Sequence, residues 1–320
     1  MSSRAQDLMT KSFRESTVTP ELKVYGWEEL GRDLMNTRPG QQTGYKALDH
    51  YVRIPRGAIT VVAARPGDGK TSLQLNLLLN MLRNPENKDY KFYFFSYEET
   101  QKYIATKLIM IMAGQVLHNK ENLSAYLCYL NDRYKGIKRR SNSNINRAVE
   151  EFKSYTSVEP KRLTIIDQPY KINKLTSILN LVGQDKQTGA VFIDYIQKIS
   201  LESNLRVTAR YLEIKIVSEL LLDIAKYGDI PLIVGAQLGR NASHNGELTL
   251  HSLRESGDLE QDANVVLGLR KESMEDEEDS NGPVNLHVHI LKNRGGPAGG
   301  KVTLDFDGRV FQVSERRAFF

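Results

Sequence analysis

The segment at positions 64–71 reads Ala64-Arg65-Pro66-Gly67-Asp68-Gly69-Lys70-Thr71. It follows an apolar, β-branched run at 58–63 and precedes a leucine-rich stretch that ends at Arg83. Two glycines this close together let the backbone bend until several N–H groups point at one anion. The lysine adds a charge for the β- and γ-phosphates of a nucleotide, and the threonine hydroxyl can ligate Mg²⁺. We therefore predict that residues 64–72, ending at Ser72, bind ATP or another NTP together with Mg²⁺.

The phosphate-binding pattern has one departure, at its first position. That position is usually glycine, and it is Ala64 in this chain. Alanine is the smallest possible departure, and the predicted strand before it and helix after it are the context that phosphate binding requires. The helix also directs its positive end at the same anion.

A triphosphate site needs a carboxylate on a neighbouring strand to hold the metal. Val191-Phe192-Ile193 is an apolar run that ends in Asp194, and a similar run at 163–166 ends in Asp167. In open α/β sheets, ligands collect at the carboxyl ends of the strands. We favour Asp194, which Tyr195-Ile196-Gln197 follows, and Asp167 stays the alternative.

Hydrolysis also needs a group that orients the attacking water. Glu98 and Glu99 both follow an aromatic strand predicted at 91–96, and either could serve. Gln237 closes another predicted strand, and its amide can both donate and accept hydrogen bonds. We expect it to sense the γ-phosphate.

Strand and helix patterns alternate through most of the chain, which predicts a mostly parallel sheet flanked by helices. The predicted strands lie at 58–63, 91–96, 163–167, 190–194 and 231–237. The predicted helices lie at 71–83, 171–183 and 210–227, and 100–156 is helical with a break at 136–144. Beyond residue 262, strands at 265–269, 284–291, 300–306 and 309–313 predict a β-rich C-terminal end.

The composition is that of an ordinary globular protein. The chain has 320 residues, one cysteine and a formal net charge of +5, so an intrachain disulfide is excluded and a nucleic-acid partner is permitted but not demanded. We find no apolar run of membrane-span length and no signal peptide, and we expect a cytoplasmic protein without a membrane partner. Residues 1–40 are predicted to form an arm with a short amphipathic helix at 27–35, and 41–320 a single domain.

From about Thr43 to Phe311, the chain resembles the C-terminal motor domain of the DnaB-type replicative helicases, a branch of the RecA-like P-loop ATPases. Seven segments carry the resemblance, in order: Thr43-Gly44-Tyr45-Lys46-Ala47-Leu48-Asp49, residues 63–71, Phe95-Ser96-Tyr97-Glu98-Glu99, Ile193-Asp194-Tyr195-Ile196-Gln197, Ala236-Gln237-Leu238-Gly239-Arg240, residues 253–263 and residues 291–299. The family often carries alanine at the position of Ala64, and its alignment favours Glu98 over Glu99 as the catalytic glutamate.

The resemblance also implies roles for residues far from the phosphate-binding segment. Arg240 would lead into the central DNA loop, and Arg254, Glu255 and Gly257 would contact single-stranded DNA. Arg294 would be an arginine finger that reaches the neighbouring subunit's nucleotide, with Lys292 as its companion. We therefore expect a hexameric ring that moves 5′-to-3′ on single-stranded DNA and unwinds forked duplexes.

Family members also carry an N-terminal domain that binds primase or has primase activity. Since about 40 residues precede Thr43, this is either a minimal, phage- or plasmid-like helicase or a fragment. Primase or a helicase loader would be a partner. The helix at 27–35 would pack either on the adjacent subunit or on its own domain. The alternative functions are a RecA-type recombinase, a DNA-dependent loader ATPase, and a DNA-binding scaffold whose nucleotide only stabilises a ring.

Overall fold

The computed structural model describes residues 26–118, 122–137, 142–202, 209–239, 248–250, 253, 257–272 and 282–316. The chain divides into two compact units, one ending at Arg38 and the other beginning at Pro39. In the first unit, helix α1 spans Trp27–Asn36, as the spacing of its apolar residues predicts. No helix in the described ranges is long and apolar enough to cross a lipid bilayer.

The second unit is built on one sheet. Its strands in the described residues are β1 (Ala58–Ala64), β2 (Lys91–Ser96), β3 (Leu163–Ile166), β4 (Thr188–Asp194), β5 (Pro231–Gln237), β6 (Val265–Lys271), β7 (Val284–Asn293), β8 (Lys301–Asp307) and β9 (Gln312–Glu315). Their order across the sheet is β3-β2-β4-β5-β1-β6-β7-β8-β9. The strands from β3 to β6 in this order pair in parallel, and β7, β8 and β9 continue the sheet in antiparallel pairs.

Helices cover both faces of the sheet. They are α2 (Lys46–Asp49), α3 (Lys70–Arg83), α4 (Gln101–Ala113), α5 (Asn122–Tyr134), α6 (Ser143–Thr156), α7 (Ile172–Gln184), α8 (Arg210–Gly228) and α9 (Gly257–Asp262). Successive side chains of a strand point to opposite faces. Accordingly, Val62 of β1 packs in the core with α3 to α6, while Val61 packs in the core with α7 to α9. Every residue of β1 is buried, as expected for a central parallel strand.

The predicted fold is confirmed: a mostly parallel sheet, flanking helices and a β-rich C-terminal end. Two local predictions are wrong. The region 100–156 has a further break where Gly114 takes a positive φ of 57° and ends α4. The strand predicted at 309–313 is a turn up to Phe311, whose φ is 56°, and β9 begins only at Gln312. The sequence also contains an acidic run at 275–279, which lies outside the described residues.

Candidate active site

The carboxyl end of β1 opens into a phosphate-sized loop. Gly67 and Gly69 have φ values of 84° and 85°, in the left-handed region that favours glycine. The N–H of Asp68 donates to the carbonyl of Arg65 at 3.2 Å, which closes the turn. Helix α3 starts at Lys70, so its unpaired N–H groups lie at the mouth of this loop. The local sequence therefore forms the cradle that its glycine spacing predicts.

Asp194 lies at the centre of the site. It ends β4, is only 1 % exposed, and forms an ion pair with the ammonium of Lys70 through Oδ1. The hydroxyl of Thr71 donates to its other oxygen, Oδ2, at 2.6 Å. A hydroxyl and a carboxylate side by side are the hard oxygen donors that Mg²⁺ prefers. These residues therefore fit the predicted metal.

Asp167, the alternative carboxylate, lies elsewhere. Its Oδ2 accepts a hydrogen bond from the backbone N–H of Gln101 at 2.9 Å, at the start of α4. That contact is typical of an aspartate that stabilises a helix start. The structure thus brings Asp194, and not Asp167, to Lys70 and Thr71.

A cavity of about 460 Å³ opens in front of the loop. The predicted nucleotide-binding residues line it, with the exception of Asp68, and so do Glu98 and Gln237. The sheet order explains this convergence. Strands β2, β4, β5 and β1 are consecutive neighbours and parallel, so their carboxyl ends meet at one edge.

The two glutamates after β2 differ in their contacts. Oε1 of Glu99 lies 2.5 Å from the ammonium of Lys107, and its backbone N–H and carbonyl both bond to the hydroxyl of Ser96. Glu98 is exposed to the cavity. Burial, and then the charges of Glu98 and Asp194, raise the pKa of the Tyr195 phenol. Both carboxylates line the cavity, but only Glu99 is tied to Lys107 and Ser96, so these contacts favour Glu98 as the water-orienting group, which stays a prediction.

Gln237 is held by its backbone rather than by its side chain. Its N–H donates to Oε1 of Gln197 at 3.1 Å, and its carbonyl accepts from Nε2 of Gln197 at 3.1 Å. This reciprocal pair fixes the end of β5 next to the cavity. The Gln237 side chain is therefore presented to the cavity by a rigid support.

Sequence reasoning missed several residues of the cavity wall. Lys271, the last residue of β6, donates to the carbonyl of Gly67 at 3.1 Å. Lys107 lies 4.7 Å from the ring centre of Phe311, and the ammonium of Lys70 lies 4.0 Å from that of Tyr195. Phe306 also lines the wall. Tyr195 was recognisable, since it follows the predicted metal-binding aspartate. Lys107 lies in the helix after Glu98 and Glu99, and Lys271, Phe306 and Phe311 come from segments far along the chain.

Arg294 and Lys292 lie toward the amino end of β1, whereas the cradle follows its carboxyl end. The backbone N–H of Arg294 donates to the carbonyl of Asn264. The N–H of Asn264 in turn donates to the carbonyl of Ile59, near the start of β1. The cradle follows Ala64, five residues further along, or roughly 16 Å at the rise of a β-strand. The Lys292 ammonium and the Arg294 guanidinium both donate to the carbonyl of Gln261, at 3.1 and 2.6 Å. Burial, and then the charge of Arg294, lower the pKa of Lys292.

The family model of the DnaB-like helicase C-terminal domain matches residues 40–315, which is most of the chain. This chain belongs to the DnaB-like helicase C-terminal domain family. Among curated relatives, the replicative DNA helicase DnaB of Mycoplasma pneumoniae is 28% identical over 295 residues, covering 87% of this chain and 58% of the relative. That of Mycoplasma genitalium is 30% identical over 276 residues, covering 83% and 54%.

A further relative is a probable plasmid replicative DNA helicase of Chlamydia trachomatis, 27% identical over 276 residues, or 85% of this chain and 54% of the relative. The chain thus spans somewhat more than half the length of these DnaB-like relatives. Among solved structures, the ATPase domain of G40P superposes with a TM-score of 0.69 at 21% identity, covering 99% of this chain and all of that one. A DnaB-like replicative helicase, solved for its interactions with primase, gives 0.70 at 20% identity, covering 98% and 71%. Both likenesses support the RecA-like fold.

The DNA-binding segments predicted for this DnaB-like chain are described only in part. Arg240, Arg254 and Glu255 lie outside the described residues. Gly257 is the first residue of α9, which packs on α8. The geometry therefore bears on the nucleotide site, and the DNA contacts stay predictions.

Proposed function

We propose that this chain is the NTP-hydrolysing motor of a replicative DNA helicase, which assembles as a hexameric ring, moves 5′-to-3′ on single-stranded DNA and unwinds forked duplexes. One observation carries the proposal: Lys70 and Thr71 line a cavity of about 460 Å³ at the mouth of a glycine-bent loop, and the buried carboxylate of Asp194 is paired with both of them. The proposed boundaries are an arm at 1–40, with α1 as a linker helix, and a motor domain at 41–320.

Each group of residues in and beside the cavity has its own proposed role in hydrolysis. The backbone N–H groups around Gly67 and Gly69 bind phosphate oxygens, and Lys70 turns its ammonium from Asp194 to the β- and γ-phosphates. Thr71 and Asp194 would hold Mg²⁺, which neutralises phosphate charge when bound. Glu98 orients the attacking water and accepts its proton. Gln237, at the end of β5, contacts the γ-phosphate and relays its loss to the chain that follows.

The separation of Arg294 from the cradle supports hydrolysis between subunits. A guanidinium at the far end of the sheet cannot reach a phosphate held after Ala64 of the same chain. Placed at a ring interface, it would stabilise the charge that develops on the neighbouring subunit's γ-phosphate. Lys292 donates to the same Gln261 carbonyl as Arg294, so it would lie beside the finger as its companion. Hydrolysis then depends on assembly.

The remaining partners follow from the family. Single-stranded DNA would pass through the ring and contact Arg240, Arg254, Glu255 and Gly257. Primase or a helicase loader is the proposed protein partner, since a structural neighbour was solved for its interactions with primase. The setting would be a bacterial, plasmid or phage replication system in the cytoplasm.

Three measurements on the full chain test the proposal. ATP hydrolysis should be stimulated by single-stranded DNA, particle mass should rise to that of a ring in the presence of nucleotide, and a forked duplex should be unwound. A flap with a free 5′ end should be required for loading if the polarity is 5′-to-3′. Strand exchange without unwinding would instead identify a recombinase, and nucleotide-dependent assembly without turnover would identify a scaffold.

A further inference from the structure

A buried amide lies beside the candidate metal site, and the residues that the structure describes give it no hydrogen-bond partner. Gln74 is on α3, one turn after Lys70, and is 0 % exposed. Neither its Oε1 nor its Nε2 has a partner among the described residues. A buried amide that makes no hydrogen bond loses its contacts with water and gains nothing in return. Such a group needs an explanation.

The position of the amide is set by a glycine on the neighbouring strand. A Cβ atom at Gly235 of β5 would lie 2.5 Å from Nε2 of Gln74, 2.9 Å from Oδ1 of Asp194 and 3.2 Å from Cδ of Lys70. The amide and the carboxylate therefore border the same gap, which is open because residue 235 has no side chain. Because a carboxylate oxygen only accepts hydrogen bonds, the amide should direct its NH₂ donor, and not its carbonyl oxygen, at that gap.

In this structure Oδ1 of Asp194 already has a donor, since Lys70 forms an ion pair with it. Binding a triphosphate would draw the ammonium of Lys70 away to the phosphates. A carboxylate that is 1 % exposed would then lose the donor on Oδ1, while Thr71 still lies on the side of Oδ2. Nε2 of Gln74 is the adjacent buried donor.

We propose that Gln74 is a positioning residue of the metal site: when Lys70 moves to the nucleotide, the Gln74 amide donates to Oδ1 of Asp194 and holds that carboxylate toward Mg²⁺. The inference rests on the proposed function, because it requires that Lys70 and Asp194 bind a metal–nucleotide complex. It gives a role to an amide that is buried beside the carboxylate and has no hydrogen-bond partner in the described part of the chain.

The test replaces Gln74 by methionine, which keeps the length of the side chain and removes its donor. Binding of Mn²⁺ to the full chain is followed by electron paramagnetic resonance in the presence of a non-hydrolysable ATP analogue. We expect a loss of metal affinity of about 10–100-fold, the usual effect of removing a group that supports a metal ligand. The melting temperature of the nucleotide-free protein should not fall, because Gln74→Met also removes an unpaired buried amide.

A second variant and a matched control keep the test decisive. Gln74→Leu should repeat the result if methionine packs poorly. Asn80→Leu, on the same helix, removes an amide whose Nδ2 donates to the carbonyl of Thr43 at 3.0 Å, and should lower the melting temperature while sparing metal affinity. Unchanged Mn²⁺ affinity in both Gln74 variants, or loss of affinity only together with stability, would overturn the inference. Failure of the wild-type chain to bind the metal–nucleotide complex would overturn the proposed function itself.

Discussion

At the scale of single residues, Asp194 is the group on which the other side chains of the site converge. A buried carboxylate is unfavourable unless it is paired and hydrogen bonded. Asp194 meets this requirement with the ammonium of Lys70 and the hydroxyl of Thr71. Both donors are also the groups that a magnesium–nucleotide complex would recruit. Pairing with Asp194 thus holds Lys70 and Thr71 in place, and on the proposed function a bound nucleotide and metal would exchange these pairs for their own.

The two glutamates after β2 provide a test of this site. We expect Glu98→Gln to lower ATP turnover by roughly 10²–10⁴-fold, the usual contribution of a general base, while nucleotide binding is retained. Glu99→Gln should cost far less, because Glu99 is paired with Lys107 and held by Ser96. Steady-state hydrolysis and equilibrium binding of a fluorescent ATP analogue measure the two effects. A larger loss in the Glu99 variant would reverse the assignment.

A histidine outside the active site gives a prediction about pH. Burial, and then the nearby charge of Lys301, lower the pKa of His287, whose Nδ1 is 3.0 Å from the Thr303 hydroxyl. Between its folded pKa and its unfolded value of about 6.5, the unfolded chain binds more protons, so stability falls as the pH falls through this range.

The matching experiment compares melting temperatures of wild type and His287→Gln from pH 7.5 to pH 5.5. We expect a smaller decrease in the variant, because its residue 287 no longer titrates. An equal decrease in both proteins would show that other groups account for the pH dependence.

At the scale of elements, helix α3 is fastened to the C-terminal strands. The amide of Asn76, which is buried, donates to the carbonyl of Phe311 at 2.8 Å and accepts from the N–H of Val313 at 3.1 Å. The same turn brings Phe311 to the cavity wall. Asn76 therefore links the helix of the phosphate cradle to the segment that closes the cavity on its β-rich side.

Loss of this link should be measurable in stability and in binding. Asn76→Ala leaves a backbone donor and acceptor unpaired, and we expect it to lower the free energy of unfolding by about 1–3 kcal/mol. Nucleotide affinity should fall as well, because Phe311 is no longer held against the cavity. Urea unfolding and nucleotide titration measure the two quantities. Asn173→Ala, at an exposed position of α7, is the control and should change neither.

The same elements explain what the sequence could predict. Strand β1 was recognisable because both of its faces are buried, so its residues form one apolar and β-branched run from Ala58 to Ala64. The end of β6 was missed because Arg270 and Lys271 interrupt the apolar pattern although they continue the strand. The turn at Phe311 was read as a strand because its apolar residues pack on the core from a non-strand conformation.

The residues of the candidate site also fall into those that a local pattern predicts and those that it does not. Lys70, Thr71, Glu98 and Asp194 follow strands that local patterns reveal, and parallel pairing brings the ends of those strands together. The contact of Lys271 with Gly67 joins positions 204 residues apart. The gap that Gln74, Gly235 and Asp194 share likewise depends on three separate elements. No local pattern encodes such contacts, since they arise only when the sheet is assembled.

At the scale of the whole molecule, the two halves of the proposed catalytic machinery lie at opposite ends of the sheet. The cradle follows the carboxyl end of β1, and Arg294 is bonded through Asn264 to its amino end. A parallel sheet is rigid, so a local movement cannot close a distance of roughly 16 Å. If Arg294 acts in hydrolysis, it acts on another copy of the chain. On the proposed function, turnover would then be a property of the assembly.

Mixing two inactive variants tests this consequence. Lys70→Ala should lose hydrolysis because its cradle lacks the phosphate-binding charge, while Arg294→Ala should bind nucleotide normally but lose roughly 10³-fold or more in turnover, as expected for an arginine finger. In mixed rings, an intact cradle from an Arg294→Ala subunit can meet an intact finger from a Lys70→Ala subunit. Hydrolysis should therefore reappear on mixing, and the control mixture of Lys70→Ala with the double variant Lys70→Ala/Arg294→Ala should stay inactive. Normal turnover by Arg294→Ala alone, or no recovery in mixtures that mass measurement shows to be mixed rings, would rule out a finger supplied by the neighbouring subunit.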